Sequence, residues 1–312
     1  MGDALISLLS FFARHGRLVL VIGLLMGILL PSFAALLKPY LPHMVATTLF
    51  LAALRIGPHQ ALGSLREVRG LIGLIGIYQI VVPLLFCFLL PFTGLSPVLI
   101  TALTLMAAAP SISGSPNLTI MVGHNPAPAL RMLIAGTAVV PATAFIVFLF
   151  VPEFGSAKAV ALSAFNLLLL IAAAASVAFT LRLLVFKEAT PQFTNSVDGL
   201  SAIAMAGIVI GLMTAIGPAL RSDPLSVFFV LALAFLASFG MQALAFFALK
   251  NTEDHSTRVG QSIISGCRNN ALFITALPTA VTDPLLLYIG CYQIPMYLTP
   301  LLLKRLYRSV DR

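Results

Sequence analysis

The chain has 312 residues, of which 60% are hydrophobic and only 9% charged, with a mean hydropathy of +1.05 and a formal net charge of +8. Soluble domains carry about 25% charged residues, so this composition excludes a water-surrounded globule. It also excludes a nucleic-acid binder, which would need a basic, soluble face.

A membrane crossing needs about 20 mostly apolar residues. Reading between charge clusters and Pro/Gly breaks predicts ten spans, at 18–37, 42–56, 70–90, 96–123, 126–151, 158–184, 197–217, 223–249, 258–279 and 284–303. The first seventeen residues lack the order of charge, apolar core and cleavage site that marks a signal peptide. With the N-terminus inside, the inner connections collect thirteen cations: Arg14, Arg17, Arg55, Arg66, Arg69, Arg182, Lys187, Lys250, Arg258, Lys304, Arg305, Arg308 and Arg312. The outer side collects Lys38, Lys158 and Arg221, while Arg131 and Arg268 fall inside spans. This positive-inside bias predicts a multi-pass protein of the cell (inner) membrane with both termini cytoplasmic. Gly23-x-x-x-Gly27 and Gly207-x-x-x-Gly211 fit small-residue contacts between its own helices. Cys87, Cys267 and Cys291 are unclustered and give neither a disulfide framework nor metal-ligand spacing.

Two halves, 1–155 and 156–312, form a weak repeat. Span three carries Gln79 ahead of Pro83, and span eight carries Gln242. Span four is interrupted by Pro110-Ser111-Ile112-Ser113-Gly114-Ser115-Pro116-Asn117, and span nine by Ser265-Gly266-Cys267-Arg268-Asn269-Asn270. Two prolines and a glycine in eight residues cannot continue a regular helix. Because hydrocarbon offers no partner, the freed backbone groups must meet protein or cavity water. Five spans per half is an odd number, so the second half runs inverted relative to the first. Interrupted helices at matching places in two halves point to a transporter's binding site. Arg268 is the sharpest signal. A guanidinium at membrane depth costs about 2.5–3.5 kcal/mol on insertion scales, and no Asp or Glu lies within ten residues of it. Its expected partner is an anion from outside.

At these residues the chain resembles the bile acid:sodium symporter family. The resemblance rests on Gly23-Leu24-Leu25-Met26-Gly27 with Pro31, on Gln79 with Pro83, on the break at Pro110, and on Gly266-x-x-Asn269. It runs over nearly the whole chain and implies an all-α membrane fold of ten helices in two inverted five-helix repeats. It also implies two broken helices that cross, and a core domain moving against a panel domain with an organic anion between them. The family's Ser-Asn pair reads Pro116-Asn117 here, and a serine of the next helix falls near Leu130-Arg131. The family's Glu-x-Gly-x-Gln-Asn reads Ile264-Ser265-Gly266-Cys267-Arg268-Asn269, so the shared carboxylate and a sodium-ligating glutamine are gone. A guanidinium about 4 Å from a sodium ion would repel it by roughly 4 kcal/mol at an effective dielectric of 20. Sodium, the one cofactor the family suggests, is therefore not expected at its usual sites.

The expected function is secondary transport of a small organic anion by alternating access. The candidate substrate residues are Ser113, Gly114, Ser115, Asn117, Arg131, Ser265, Cys267, Arg268, Asn269 and Asn270. Gln79, Asn117, Gln242 and Asn269 are the candidates for ion coupling. Arg131 has a second reading, that it snorkels to the cytoplasmic surface, and Arg268 has another, that it donates to loose carbonyls of the break. A sodium-coupled symporter and a non-transporting receptor on the same scaffold stay open as alternatives. An enzyme is not expected, because no His-x-x-x-His, paired Asp or Ser/His set occupies span centres. The expected partners are the anion and the bilayer, with oligomeric state open.

Overall fold

The computed structural model describes residues 2–66, 70–251 and 254–308; Arg69 and Arg312, two of the inner-side cations, lie outside them. The first half contains α1 (Gly2–Arg14), α2 (Gly16–Leu29), α3 (Pro31–Leu37), α4 (Leu41–Ile56), α5 (Pro58–Arg66), α6 (Ile72–Gly76), α7 (Val82–Leu89), α8 (Pro97–Ala108), α9 (Ser115–Val122) and α10 (Ala127–Phe148). The second half contains α11 (Ala157–Leu184), α12 (Pro191–Leu212), α13 (Ile216–Ser222), α14 (Pro224–Ala248), α15 (His255–Gly266), α16 (Ala271–Ile274), α17 (Thr279–Thr282), α18 (Leu286–Leu302) and α19 (Lys304–Arg308). Among the described residues there is no strand, only one isolated antiparallel bridge between Ser111 and Arg268.

Among the described residues six helices are long and apolar enough to cross a membrane, or up to eight if each of two bent pairs counts as one span. The protein is a multi-pass helical membrane protein. Its helix boundaries differ from the sequence reading where proline intervenes. The segment 18–37 divides at Leu30, which Pro31 holds outside helical geometry, at φ −118° and ψ 71°. Residues assigned to no span form α1. At the other end of α4, Gly57 adopts φ +76°, and the helices on either side of it meet at 88°.

Two groups of helices are distinguished by their contacts, while one buried apolar cluster runs through both. In one, α1, α2, α3 and α4 pack against α12, and α11 lies on α4. Gly199 makes the α1 crossing possible, since a Cβ there would stand 2.1 Å from the Leu9 carbonyl oxygen. Gly23 faces Ala206 of α12 and Gly27 faces Met213 just beyond its end, while Gly207 and Gly211 receive Met44 and Leu41, so both small-residue motifs serve internal contacts. In the other group α14 packs on α15 and α18, α10 on α9 and α15, and α7 on α8. Both interrupted helices belong to this second group.

Candidate functional site

The α8 helix stops at Ala108 because Ala109 turns to ψ 149° ahead of Pro110, and α9 begins five residues later. The α15 helix stops at Gly266, where the chain must pass close to α14. A Cβ on Gly266 would lie 2.0 Å from the Ser238 carbonyl oxygen. The two extended stretches cross and bond to each other, Ile112 N–H donating to Cys267 O at 3.0 Å and Asn269 N–H to Pro110 O at 2.8 Å. The far arms are unequal. Whereas α9 has eight residues, α16 is a single turn, followed by turns up to Pro278, so only α9 continues as a half-helix of any length.

Arg268 sits at the crossing and is 1% exposed. Its Nε donates to Ser265 O at 2.9 Å, Nη1 to Ala109 O at 3.0 Å and Nη2 to Tyr78 O at 3.3 Å. Two of these oxygens stand at helix C-termini, where carbonyls lack intrahelical donors and the dipole is negative. The third is free for a covalent reason. Residues 77–81 form a π-helical turn, and Val82 N–H bonds back to Ile77 O. In that register the next donor, to Tyr78 O, would be Pro83, which has no N–H. The Tyr78 ring also lies 5.3 Å from the guanidinium carbon. Neither of the two ion pairs among the described residues, Lys38–Asp283 and Arg55–Asp198, involves Arg268. Three of its five N–H donors are thus engaged by backbone, and its charge meets dipoles and a ring.

The Gly266 carbonyl at the second break is met as well. Gly266 O accepts from Ser238 Oγ at 2.7 Å and from Tyr292 Oη at 2.5 Å, and Tyr292 Oη accepts from Arg268 N–H at 3.1 Å. Behind the break, Gln242 Nε2 donates to Thr299 Oγ1 at 3.0 Å, and Gln242 Oε1 accepts from Tyr307 Oη at 2.7 Å.

A cleft opens beside the crossing. One wall is Thr48 of α4 with Met205 and Ile208 of α12. The other is Ile112, Ser113 and Arg268 to Ala271, closed by Gln293, Met296 and Tyr297 of α18. The two walls belong to the two helix groups. The cleft is narrow, at about 30 Å³, room for roughly one water, far below the 300 Å³ or more that an organic ligand fills. Asn270 is 1% exposed, yet neither its amide oxygen nor its nitrogen has a partner among the described residues.

Of the residues singled out from sequence, Ser113, Arg268, Asn269 and Asn270 come together on this cleft. Ser115, Ser265 and Cys267 lie buried behind it. The Ser115 hydroxyl accepts from Ser111 at 2.8 Å, Ser265 donates to Ser262 O at 2.6 Å, and the Cys267 thiol lies 3.5 Å from Thr299 Oγ1. Gly114 precedes α9, and Asn117 is exposed on its outward side. Arg131 is exposed near the start of α10 and lines a different cavity, with Thr257 and Gln261. Gln79 is fully engaged away from the cleft, donating to Gly136 O at 3.1 Å and accepting from Thr143 at 2.8 Å. Gln242 belongs to the network behind the break. Thr48, Gln293, Tyr78 and Tyr292 were not singled out from sequence, although each is a polar group inside an apolar stretch.

Fold and site define a multi-pass helical membrane protein with a narrow cleft, partly polar on one wall, between two groups of helices. No protein-family model matches the chain, and no curated protein matches it.

Proposed function

We propose that the protein is a secondary transporter for a small organic anion, a divergent member of the bile acid:sodium symporter family working by alternating access. The observation that carries this reading is Arg268, a buried cation without a carboxylate partner among the described residues, at the crossing of two interrupted helices and on the wall of a narrow cleft. Counting both interrupted helices as crossings leads to ten spans in two inverted halves, and the contacts are consistent with that order. Arg55–Asp198 joins the proposed inner ends of α4 and α12, Asn125 N–H with Ser256 Oγ at 3.2 Å joins two segments on the same side, and Lys38–Asp283 joins two on the outer side. Both termini are then cytoplasmic.

In this reading the guanidinium is a resident cation. It fills the place where the carbonyls of Tyr78, Ala109 and Ser265 converge, a cage of the kind a free sodium ion would seek. It fixes the crossing and lends its field to the cargo, so uptake needs no sodium. The cleft must widen for cargo to enter, and the wall formed by α4 and α12 is the one free of the crossing.

Flux into proteoliposomes tests this directly. Uptake of an anionic solute found by a thermal-shift screen of carboxylates should be nearly unchanged when choline replaces sodium. A drop of about tenfold or more, roughly 1.4 kcal/mol of coupling, would establish the sodium-coupled alternative instead. Arg268→Lys keeps the charge but loses the planar fork, and should retain part of the uptake. Arg268→Ala should lose it, with the melting curve separating lost binding from lost folding. Normal uptake by folded Arg268→Ala would overturn the assignment, and ligand binding without counterflow would mark a receptor.

A further inference from the structure

We propose that the protein pairs with a second copy of itself through the lipid-facing side of α11, Asn166 of each copy bonding to Asn166 of the other across a two-fold axis. Among the described helices long enough to cross a membrane, α11 is the barest: 11% of its most apolar stretch is buried, against 56% for α10. One side of it carries the buried residues Val160, Ser163, Leu167 and Ala178, and its main neighbours are α4 and α10. The other side carries Ala159, Leu162, Asn166, Leu169, Ala173 and Ser176, all exposed and spaced alternately by three and four residues. That spacing is the seam of a two-stranded coiled coil.

Asn166 says what covers this seam. Lys158 and Arg182 mark the ends of the helix, and at 1.5 Å per residue Asn166 stands about 12 Å from the first and about 6 Å from the midpoint between the two. A hydrocarbon layer about 30 Å thick therefore encloses it. Its carboxamide has two donors and an acceptor, no hydrogen bond engages it among the described residues, and lipid tails offer none. An exposed hydroxyl at such depth can turn back to its own helix, as Thr47 on α4 does to His43 O at 2.8 Å. The carboxamide oxygen has no such recourse, because the N–H groups of a helix interior are already taken. It needs a donor from another chain.

A copy of the same chain supplies that donor at the right place. Copies inserted in one orientation hold every residue at equal depth, so α11 meets α11 in parallel about an axis normal to the membrane. A carboxamide is its own complement: each Nδ2 donates to the opposite Oδ1. Ala159, Ala173 and Ser176 put little bulk on the seam, which lets the backbones approach at the roughly +20° crossing of such pairs. A lone asparagine at one seam position also fixes register and the number of chains. None of these residues lines the crossing cleft, so the pairing stands or falls independently of the transport reading.

The test uses the purified full chain in lipid vesicles, with donor- and acceptor-labelled copies mixed and energy transfer followed as the protein-to-lipid ratio is lowered. Wild type should be a dimer that dissociates on dilution. Asn166→Leu, which places an apolar side chain in lipid, should dissociate about 3–30-fold more readily while keeping the wild-type circular-dichroism spectrum. Asn166→Gln keeps the carboxamide and should fall between them. In a Cys87→Ser background, Asn166→Cys should form a disulfide-linked dimer on mild oxidation, whereas Leu168→Cys, exposed but about 160° around the helix, should not. A wild-type protein monomeric at every ratio, dissociation unaltered in Asn166→Leu, or equal crosslinking at both positions would overturn the pairing and leave the face to lipid.

Discussion

The bond from Arg268 to Tyr78 O depends on residue 83 lacking an N–H, and that gives a test at the level of single atoms. Arg268→Gln should destabilise the purified protein by on the order of 3 kcal/mol, because three buried carbonyls lose a charge-assisted donor. Pro83→Ala restores a backbone N–H one register position from Tyr78 O. Introduced alone it should change stability little, but combined with Arg268→Gln it should recover part of the loss. The expected coupling in the double-mutant cycle, read from denaturant or thermal melts, is about 0.5–3 kcal/mol. Strict additivity would mean that Tyr78 O does not depend on the guanidinium. The sequence revealed that Arg268 needed a partner, but not which one. An external anion and a set of backbone oxygens satisfy the same charge, and only the π-helical turn at 77–81, invisible in residue pattern, decides that much of the partner is internal.

Among the elements, α15 is the most constrained, being capped at one end and pressed against α14 at the other. Its cap, Asp254, has a carboxyl held below the usual range chiefly by the Thr257 hydroxyl, with the Ser256 and Thr257 amides and Arg131 helping and partial burial opposing. A lowered native value means that the cap contributes fully above the ordinary carboxylate value of 3.8 and is lost as pH falls through the native one. Asp254→Ala should therefore cost about 1 kcal/mol at neutral pH, and the difference from wild type should close in strong acid. At the other end Gly266→Ala should cost about 1–3 kcal/mol or more, since the Ser238 carbonyl is backbone and cannot swing aside. Both breaks were legible in the sequence, because Pro110, Pro116 and Gly266 stand where a helix cannot continue. The lengths of their far arms were not. Pro278 was visible, but the one-turn α16 depends on Asn269 N–H and Arg268 being tied to the first break, a pairing over 150 residues in sequence. The family resemblance assigns Asn117 and Arg131 by their neighbours along the chain, but the helical phase of α9 and α10 carries both away from the cleft.

For the molecule as a whole, the cleft separates two helix groups, and its two walls meet near Thr48 and Ala271. If the protein transports as proposed, cysteines introduced at both positions and bridged through disulfides by a short bis-methanethiosulfonate should hold the cleft shut and stop flux, with recovery when the disulfides are reduced. Continued uptake through the fully bridged protein would exclude motion between these groups as the transport step. The hydrophobic pattern conveyed membrane class and most crossings, because burial in lipid depends on composition. It did not convey α1, whose place beside α12 is set by the absence of a side chain at Gly199, nor the cavity at Gln261, which no local pattern marks.

The dependence of Arg268 on distant oxygens also constrains how the protein can be made. When α15 leaves the ribosome and meets the bilayer, Tyr78 and Ala109 are already synthesised, but Tyr292, the acceptor for the Arg268 N–H, is 24 residues away and still to come. The second interrupted helix cannot be stored in lipid as a finished span in the meantime. It must wait beside the first break or at the membrane surface until α18 arrives. Chains ended before Tyr292 should therefore be inserted poorly at this helix and degraded quickly, while chains ended just beyond α18 should persist, a contrast that pulse-chase of nested truncations would measure.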